Sequence, residues 1–251
     1  MKWISNFYQK QYEWWNTLTS KNTEELQDEL VEKMEQFMDQ PSKKILELGG
    51  GNGQFAVTAA KHGYDVTVIE LISECVEHTT KLAKKHHVES NLRAIQGDFF
   101  EVELKEKFDV ICYWDGFGVG TDGDQKVLLQ RISEEWLKPN GTTLIDIYTP
   151  WYWAKTAGEE MTIEGISRKY DFDAIECRML DTWWKTDEPT TKVSQSLRCY
   201  SPADLNLLIN ELPLQLQHCE PSGAMDYEKW KYQTKVPLGQ AMSYMAKLKL
   251  D

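Results

Sequence analysis

Residues 45 to 53 read ILELGGGNG: a run that suits a buried strand carries Glu47 and then dissolves into Gly49, Gly50, Gly51 and Gly53. Glycines at a strand's carboxyl end permit positive backbone angles and let a ligand approach the main chain closely. A carboxylate in the same place accepts hydrogen bonds from hydroxyls and amines. A second acid, Glu70, ends the next apolar run, Gly97-Asp98-Phe99 ends a third, and Asp115 follows a fourth within YWDGFGVG, Tyr113 to Gly120. Acids and glycines at successive strand ends suit the binding of a polar small molecule. Gly51-x-Gly53-x-x-Ala56 also satisfies the dinucleotide pattern, with Glu70 near the distance expected of a ribose-binding acid. The glycine string alone therefore leaves a nicotinamide cofactor in play, and a glycine-rich turn without a ligand is the plainer reading.

Several other chemistries are disfavoured. The 251 residues carry a formal charge of -12, which leaves no general basic surface to gather a phosphate backbone, so a nucleic-acid partner is not expected. The five cysteines lie far apart with no C-x-x-C spacing, and the histidines form no HExxH, so neither a disulfide framework nor a metal is expected. No G-x-S-x-G element is present for a serine nucleophile. No apolar stretch has signal or membrane-spanning length, and the expectation is a soluble, unprocessed, cytoplasmic protein without a membrane partner.

The elements that must position these residues follow from hydrophobic period. Lys43 to Leu48, Tyr64 to Glu70, Leu92 to Gly97, Phe108 to Tyr113 and Thr142 to Tyr148 read as strands. Helices intervene: one through Phe55 to Ala60 with Gly63 as its cap, one capped by Ser73, and one over Asp124 to Leu137, with Pro139-Asn140-Gly141 as a turn. Residues 161 to 200 hold strand-like pieces with no helical period, which predicts an antiparallel insertion. Ser201-Pro202 then opens a helix, and Leu214 to Glu220 and Met242 to Leu250 close as strands. The pattern is that of an α/β protein with a mostly parallel sheet.

The frame Glu47-x-Gly49-x-Gly51-x-Gly53, then Glu70, then Gly97-Asp98-Phe99, resembles the class I S-adenosylmethionine-dependent methyltransferases over residues 43 to 149 and 201 to 250. The resemblance implies a Rossmann-like fold with a seven-stranded, mostly parallel sheet and an antiparallel last strand. It also implies that the glycine segment with Glu47 wraps the methionine part of the cofactor, that Glu70 binds the ribose hydroxyls and that Asp98 meets the adenine amino group. Leu71 and Phe99 would cover the adenine faces, and Tyr113 and Trp114 join the cofactor-binding set.

Beyond the fourth strand no Asp/Asn-Pro-Pro-aromatic run is present, and Cys112 lacks the proline-cysteine motif of RNA cytosine enzymes, so it reads as a buried strand residue. Asp115 is the candidate catalytic carboxylate, with a turn aspartate as the equal alternative; Asp122 and Asp124 read as turn and helix-entry charges. The insertion resembles the β-rich cap of small-molecule enzymes such as the aminosugar N-methyltransferases. Trp151 and Trp153 at its start, with Trp114, Phe117 and Tyr148, are the expected acceptor-binding aromatics. The N-terminal FYQKQYEWW precedes a polar helix from Thr23 to Asp39 and resembles a lid that folds over the cofactor. Tyr12 would then reach the cofactor, and Tyr8 and Trp15 the acceptor. Trp14 and Trp15 offer instead a hydrophobic staple or a homodimer contact.

The expected organisation is an N-terminal lid over 1–40, a cofactor-binding unit over 41–149 and 201–251, and a cap over 150–200. The expected activity is methyl transfer to nitrogen or oxygen of a small metabolite. A tRNA-modifying methyltransferase, an NAD-dependent oxidoreductase and a non-catalytic S-adenosylmethionine-binding protein are the alternatives.

Overall fold

The computed structural model describes residues 2–18, 24–39, 41 and 43–251. Five strands alternate with helices as the hydrophobic period requires: β1 (Lys44–Leu48), β2 (Asp65–Glu70), β3 (Leu92–Gln96), β4 (Phe108–Tyr113) and β5 (Leu137–Tyr148). With β10 (Leu214–Pro221) and β13 (Ser243–Leu250) they form one seven-stranded sheet in the order β10-β13-β5-β4-β1-β2-β3. β13 pairs antiparallel with both β5 and β10, and the remaining strands run parallel. This is the expected Rossmann-like sheet with an antiparallel last strand. Connections leave in opposite senses from β1 and β4, so the sheet opens a crevice at their carboxyl ends.

Alternation along each strand divides the core between two faces. Ile45, Val66, Val68, Val110, Cys112 and Leu144 point to one face, beneath α2 (Asp28–Gln36), α3 (Gln54–Lys61) and α4 (Ser73–Lys85). Leu46, Leu48, Ile69, Ile111, Ile145 and Ile147 point to the other, with α5 (Asp122–Arg131) and α7 (Pro202–Ile209). Cys112 is fully buried and burial pushes its thiol well up, which suits a structural strand residue and not a nucleophile.

Four of the expected elements differ in their bounds or caps. The helix assigned to Asp124–Leu137 starts earlier, because Thr121 and Asp124 form a reciprocal capping box, and ends in a π-turn over Ile132–Trp136 that seats Trp136 in the core. Pro139-Asn140-Gly141 does not break the chain: β5 runs through it, and pairing jumps from Phe108↔Leu137 to Val110↔Thr142, so the extra residues bulge out of the ladder. Ser73 is the first helical residue of α4 and Ile72 its cap. The polar helix begins only at Asp28, since the Gln27 amide donates to Thr58 Oγ1 at 2.9 Å; Thr23 lies outside the described residues.

Between β5 and α7 the chain forms α6 (Pro150–Thr156) and then an antiparallel meander, β6 (Glu160–Ile163), β7 (Ile166–Asp173), β8 (Arg178–Lys185) and β9 (Glu188–Arg198). Glu164 and Gly165 turn β6 into β7 with positive φ at both positions, the backbone a two-residue hairpin requires. A short hairpin, β11 (Ala224–Asp226) with β12 (Lys231–Gln233), precedes β13 and has no counterpart in the sequence reading. The N-terminal α1 (Lys2–Leu18) lies on β9, where Phe7 and Trp14 bury against Trp183. Trp14 is thus part of this chain's own core. The Trp15 side chain lies outside what is described. Among the described residues no helix is long and apolar enough to cross a membrane.

Gly53 illustrates how tightly the first crossover is built. It caps α3 with φ +76°, and a methyl group at this position would collide with the side chain of Thr79 on α4. Gly53→Ala should therefore cost about 2–4 kcal/mol of stability, from left-handed strain and overpacking together. Urea denaturation measures this, and a loss below about 1 kcal/mol would mean that α4 yields at no cost.

Candidate functional site

A cavity of about 920 Å³ opens at the carboxyl ends of β1, β2, β4 and β5 and is roofed by α1 and the β6–β9 meander. Its floor is the glycine loop. Gly49, Gly51 and Gly53 all have positive φ, but they serve different ends. A methyl group on Gly51 would meet no protein atom, so the space beside it is free for a ligand, whereas Gly53 faces Thr79 and does not line the cavity. Of the glycines expected to bind cofactor, Gly49 and Gly51 border the cavity and Gly53 shapes the loop from behind.

Glu70 ends β2 and holds this loop in place. Its Oε2 accepts from the Gly51 amide and its Oε1 from the Ile72 amide, both at 2.9 Å. Burial raises its pKa, while the amides of Ile72, Gly51 and Leu71 oppose that shift by bonding the anion. Glu47 is 4% exposed, and desolvation with repulsion from Glu70 pushes its pKa well up. Its Oε2 has no hydrogen-bond partner among the described residues. A buried carboxylate oxygen left unpaired is costly, and it is relieved by a donor, above all a cationic one, arriving from the cavity.

Asp98 lies where β3 ends; its Oδ1 accepts from the Phe100 amide at 2.9 Å. Leu71, Asp98, Phe99 and Tyr113 all border the same cavity, as do Tyr12 and Tyr8 from α1. The cofactor set of the sequence reading is therefore brought to one place, Gly53 excepted.

Asp115 follows β4 and is open to the cavity. Its Oδ1 accepts from the Tyr148 hydroxyl at 2.9 Å. The surrounding low-dielectric walls raise its pKa, opposed by the Tyr148 hydroxyl, the Arg168 charge and the Gly116 amide. The next residue, Gly116, has φ +99°, and a methyl group there would sit 3.0 Å from the Tyr113 hydroxyl and 3.2 Å from that of Tyr8. Hydroxyls from α1, β4 and β5 thus converge around Asp115. Trp114, Tyr148 and Trp153 of the expected acceptor set line the cavity as well.

Two aromatic expectations need correction. Phe117 is 1% exposed and packs between Tyr113 and Tyr200 in the core, because the turn at Gly116 sends the side chain inward. Trp151 is held away from the cavity by its Nε1, which donates to the Leu238 carbonyl at 2.9 Å; neither borders the cavity. Asp122 and Asp124 behave as structural charges: Asp122 accepts from the Tyr200 hydroxyl at 2.7 Å, and Asp124 caps α5.

The sequence reading missed Asp146, Arg168 and Tyr170, all of which border the cavity. Asp146 stands in β5 beside Met245 of β13, and alternation puts it on the face that carries Glu47, Cys112 and Trp114. A lone acid in the apolar run TTLIDIY was the available signal. Its Oδ1 is buried without a partner among the described residues, as is the Trp114 Nε1, and burial raises its pKa to about 6, against the attraction of Lys33. Arg168, Tyr170 and Trp183 lie on the meander, where register alone brings them together.

Known proteins carry the same frame. Residues 19–217 match a family model described as a methyltransferase domain. The CcbJ methyltransferase of Streptomyces caelestis superposes with a TM-score of 0.70 at 16% identity, over 89% of this chain and 88% of that one. An S-adenosylmethionine-dependent methyltransferase from Clostridium acetobutylicum gives a TM-score of 0.71 at 15% identity, over 97% and 98%. Among curated relatives, the protein arginine N-methyltransferase PRMT10 of Oryza sativa subsp. japonica is 32% identical over 101 residues, 39% of this chain; the chain spans only 26% of that relative's length. The chain belongs to the methyltransferase-domain family, in its class I, S-adenosylmethionine-dependent form. The family match favours methyl transfer over the oxidoreductase alternative.

Asp146 makes the site's electrostatics testable in the ligand-free protein. Its pKa is raised on folding from 3.8 to about 6, so the folded state holds the proton more tightly and stability falls as pH rises through that window. Asp146→Asn removes the penalty. The variant should be more stable than the parent at pH 8, by at most about 3 kcal/mol, with the gap closing toward pH 4. Thermal melts across pH measure it; a gap independent of pH would remove Asp146 from the buried set.

Proposed function

We propose that the protein transfers a methyl group from S-adenosylmethionine to a nitrogen or oxygen of a small-molecule acceptor. The observation that carries this reading is one continuous cavity with two kinds of wall. The glycine loop with Glu47, Glu70 and Asp98 forms one end, and Asp115 with Tyr148 and Trp153, beneath the meander, forms the other. Cavities of this size bury a ligand pair and exclude bulk water.

The residues present fit the methyl donor. The unpaired Glu47 Oε2 suits the donor's ammonium, and the space over Gly51 admits a ligand to the backbone. Glu70 retains lone pairs for ribose hydroxyls, Asp98 can accept from the adenine amine, and Leu71 and Phe99 flank that end. Tyr12 borders the cavity from α1 and would close it over the donor. When bound, S-adenosylmethionine supplies a methyl group activated by its sulfonium.

The chain's own contribution is positioning, which supplies roughly 7–11 kcal/mol of a barrier in favourable cases. Asp115 then serves as the proton acceptor: its Oδ1 is held by Tyr148, which leaves Oδ2 to receive the acceptor's proton. Its raised pKa makes it a better base than an ordinary surface aspartate. The meander and α1, with 1–40 as lid and 150–200 as cap, close an aromatic chamber that favours an acceptor with an apolar or ring-bearing body. The acidic balance of the chain, -12, favours such a metabolite over tRNA.

Calorimetric titration with S-adenosylhomocysteine beside NAD tests the donor half. Saturable binding of the first alone is expected, and NAD binding alone would overturn it. Glu70→Ala should weaken S-adenosylhomocysteine binding by about 1.5–3 kcal/mol, with Glu70→Gln, which keeps one accepting oxygen, losing less. For the acceptor half, radiolabelled methyl transfer is screened over amines and hydroxyl compounds. On the acceptor so found, Asp115→Asn should lower kcat about 100-fold or more while S-adenosylhomocysteine affinity stays within about twofold. Full activity in that variant would reject the base.

A further inference from the structure

Arg168 of β7 has no role in the reading above, yet it is the one basic side chain among the described residues lining the cavity. Six acids, Glu47, Glu70, Asp98, Asp115, Asp124 and Asp146, share those walls. Its placement is rigid. Nε and Nη2 donate to the two carboxylate oxygens of Asp181 at 2.8 and 2.6 Å, and Asp181 is wholly buried and also accepts from Gln195 at 3.1 Å. The guanidinium carbon lies 4.6 Å from the ring centres of both Tyr170 and Trp183. Strand register explains the cluster: Arg168 stands opposite Trp183 and Tyr170 opposite Asp181, so the ion pair runs diagonally across two strands of the meander's inner face.

An ion pair that only tied β7 to β8 would need nothing more. This one leaves part of the guanidinium facing the cavity. A guanidinium has five N–H donors in a planar fork, and Asp181 takes two of them, which leaves both hydrogens of Nη1 and one of Nη2. Nη1 has no hydrogen-bond partner among the described residues, and 27% of the side chain is exposed. The remaining edge, with two parallel N–H bonds, matches the geometry of a carboxylate. Its orientation is fixed in advance by a buried counter-ion and two rings, so little entropy is lost when an anion docks.

We propose that Arg168 is an anion subsite for the methyl acceptor, which carries a carboxylate in addition to the nitrogen or oxygen that is methylated. The inference rests on the methyl-transfer reading and adds to it the acceptor's chemical class. A carboxylate could also come from the methionine end of the donor. Two observations assign it to the acceptor. Arg168 belongs to the meander, not to the glycine loop, and its charge acts on Asp115 and Tyr148, whereas Glu47 and Glu70 are perturbed by burial, by their own pairing and by loop amides. The chain of rings from Tyr148 through Trp153 to Tyr170, at centroid spacings of 5.2 and 5.0 Å, supplies an apolar wall between Asp115 and Arg168 for the acceptor's body.

The test is calorimetry on the full chain loaded with S-adenosylhomocysteine, titrated with glycine, β-alanine, phenylalanine and 4-aminobenzoate, each beside its primary amide. At least one acid should bind tenfold or more tightly than its amide. No acid binding, or every amide binding as well as its acid, overturns the proposal without recourse to a variant. Because removing Arg168 alone would strand the buried Asp181 charge, the variant of choice is Arg168→Gln with Asp181→Asn, which removes both charges and keeps hydrogen-bonding groups. In it the acid preference should fall to within twofold while S-adenosylhomocysteine affinity changes less than twofold. A tenfold loss of S-adenosylhomocysteine affinity in that variant would assign Arg168 to the donor's carboxylate and overturn the proposal. Failure of the unaltered chain to bind S-adenosylhomocysteine would show before any acid is added; it is a failure of the methyl-transfer reading and takes this inference down with it.

Discussion

Carboxylates gathered in a low-dielectric crevice are the constraint around which the rest of the structure is arranged. Glu47 and Glu70 are both buried, Asp146 holds one oxygen without a partner among the described residues, and Asp115 lines the same cavity. Burial raises the pKa of all four, and Glu70 adds repulsion at Glu47 as Asp115 does at Asp146. Such a set is expensive for folding, since desolvated anions are stabilised only by donors or cations that offset their lost hydration. The protein meets part of this cost with backbone amides at Glu70 and the Tyr148 hydroxyl at Asp115, and leaves the rest unmet. Unmet acceptors in a cavity define what the cavity will bind.

The same constraint orders the architecture. A parallel sheet brings strand ends together on one edge, so acids that close separate strands converge without any contact between their segments of sequence. Above that edge two elements add what the sheet lacks. α1 lays Phe7 and Trp14 on the meander and directs Tyr8 and Tyr12 down. The meander supplies Arg168, the single cation among the described residues lining the cavity, and holds it in place by tying it to Asp181 and seating it between two rings. Burying Asp181 to aim Arg168 trades stability for position, a trade expected where a charge must stand at a set point in space.

Hydrogen bonding also divides roles within motifs that look uniform in one dimension. Of three left-handed glycines in the loop, Gly51 faces open space and Gly53 faces Thr79. Glu70, read as a ligand-binding acid, equally pins the Gly51 amide, so loop conformation and ligand recognition share one carboxylate. The aromatic residues divide in the same way: Trp153 and Tyr148 reach the chamber, while Phe117 and Trp151 are held elsewhere by a glycine turn and by a bond to the Leu238 carbonyl.

The antiparallel last strand was expected only through the family resemblance, whereas the amino-acid sequence by itself determined the mostly parallel sheet and the acids and glycines of the first three strand ends. These depend on local alternation and on residue types that only one backbone conformation tolerates, and both are written in order along the chain. It also indicated an antiparallel insertion, though not the hairpin at 224–233 or the bulge at 138–141, where pairing partners override local turn signals. Tertiary structure alone decided which of the aromatic side chains face the chamber, that Asp146 shares a face with Glu47, and that Arg168 meets Asp181. Those relations depend on strand order and register, which join residues far apart in sequence: Glu47 and Asp146 share a face because β4, between β1 and β5, carries the alternation across in phase.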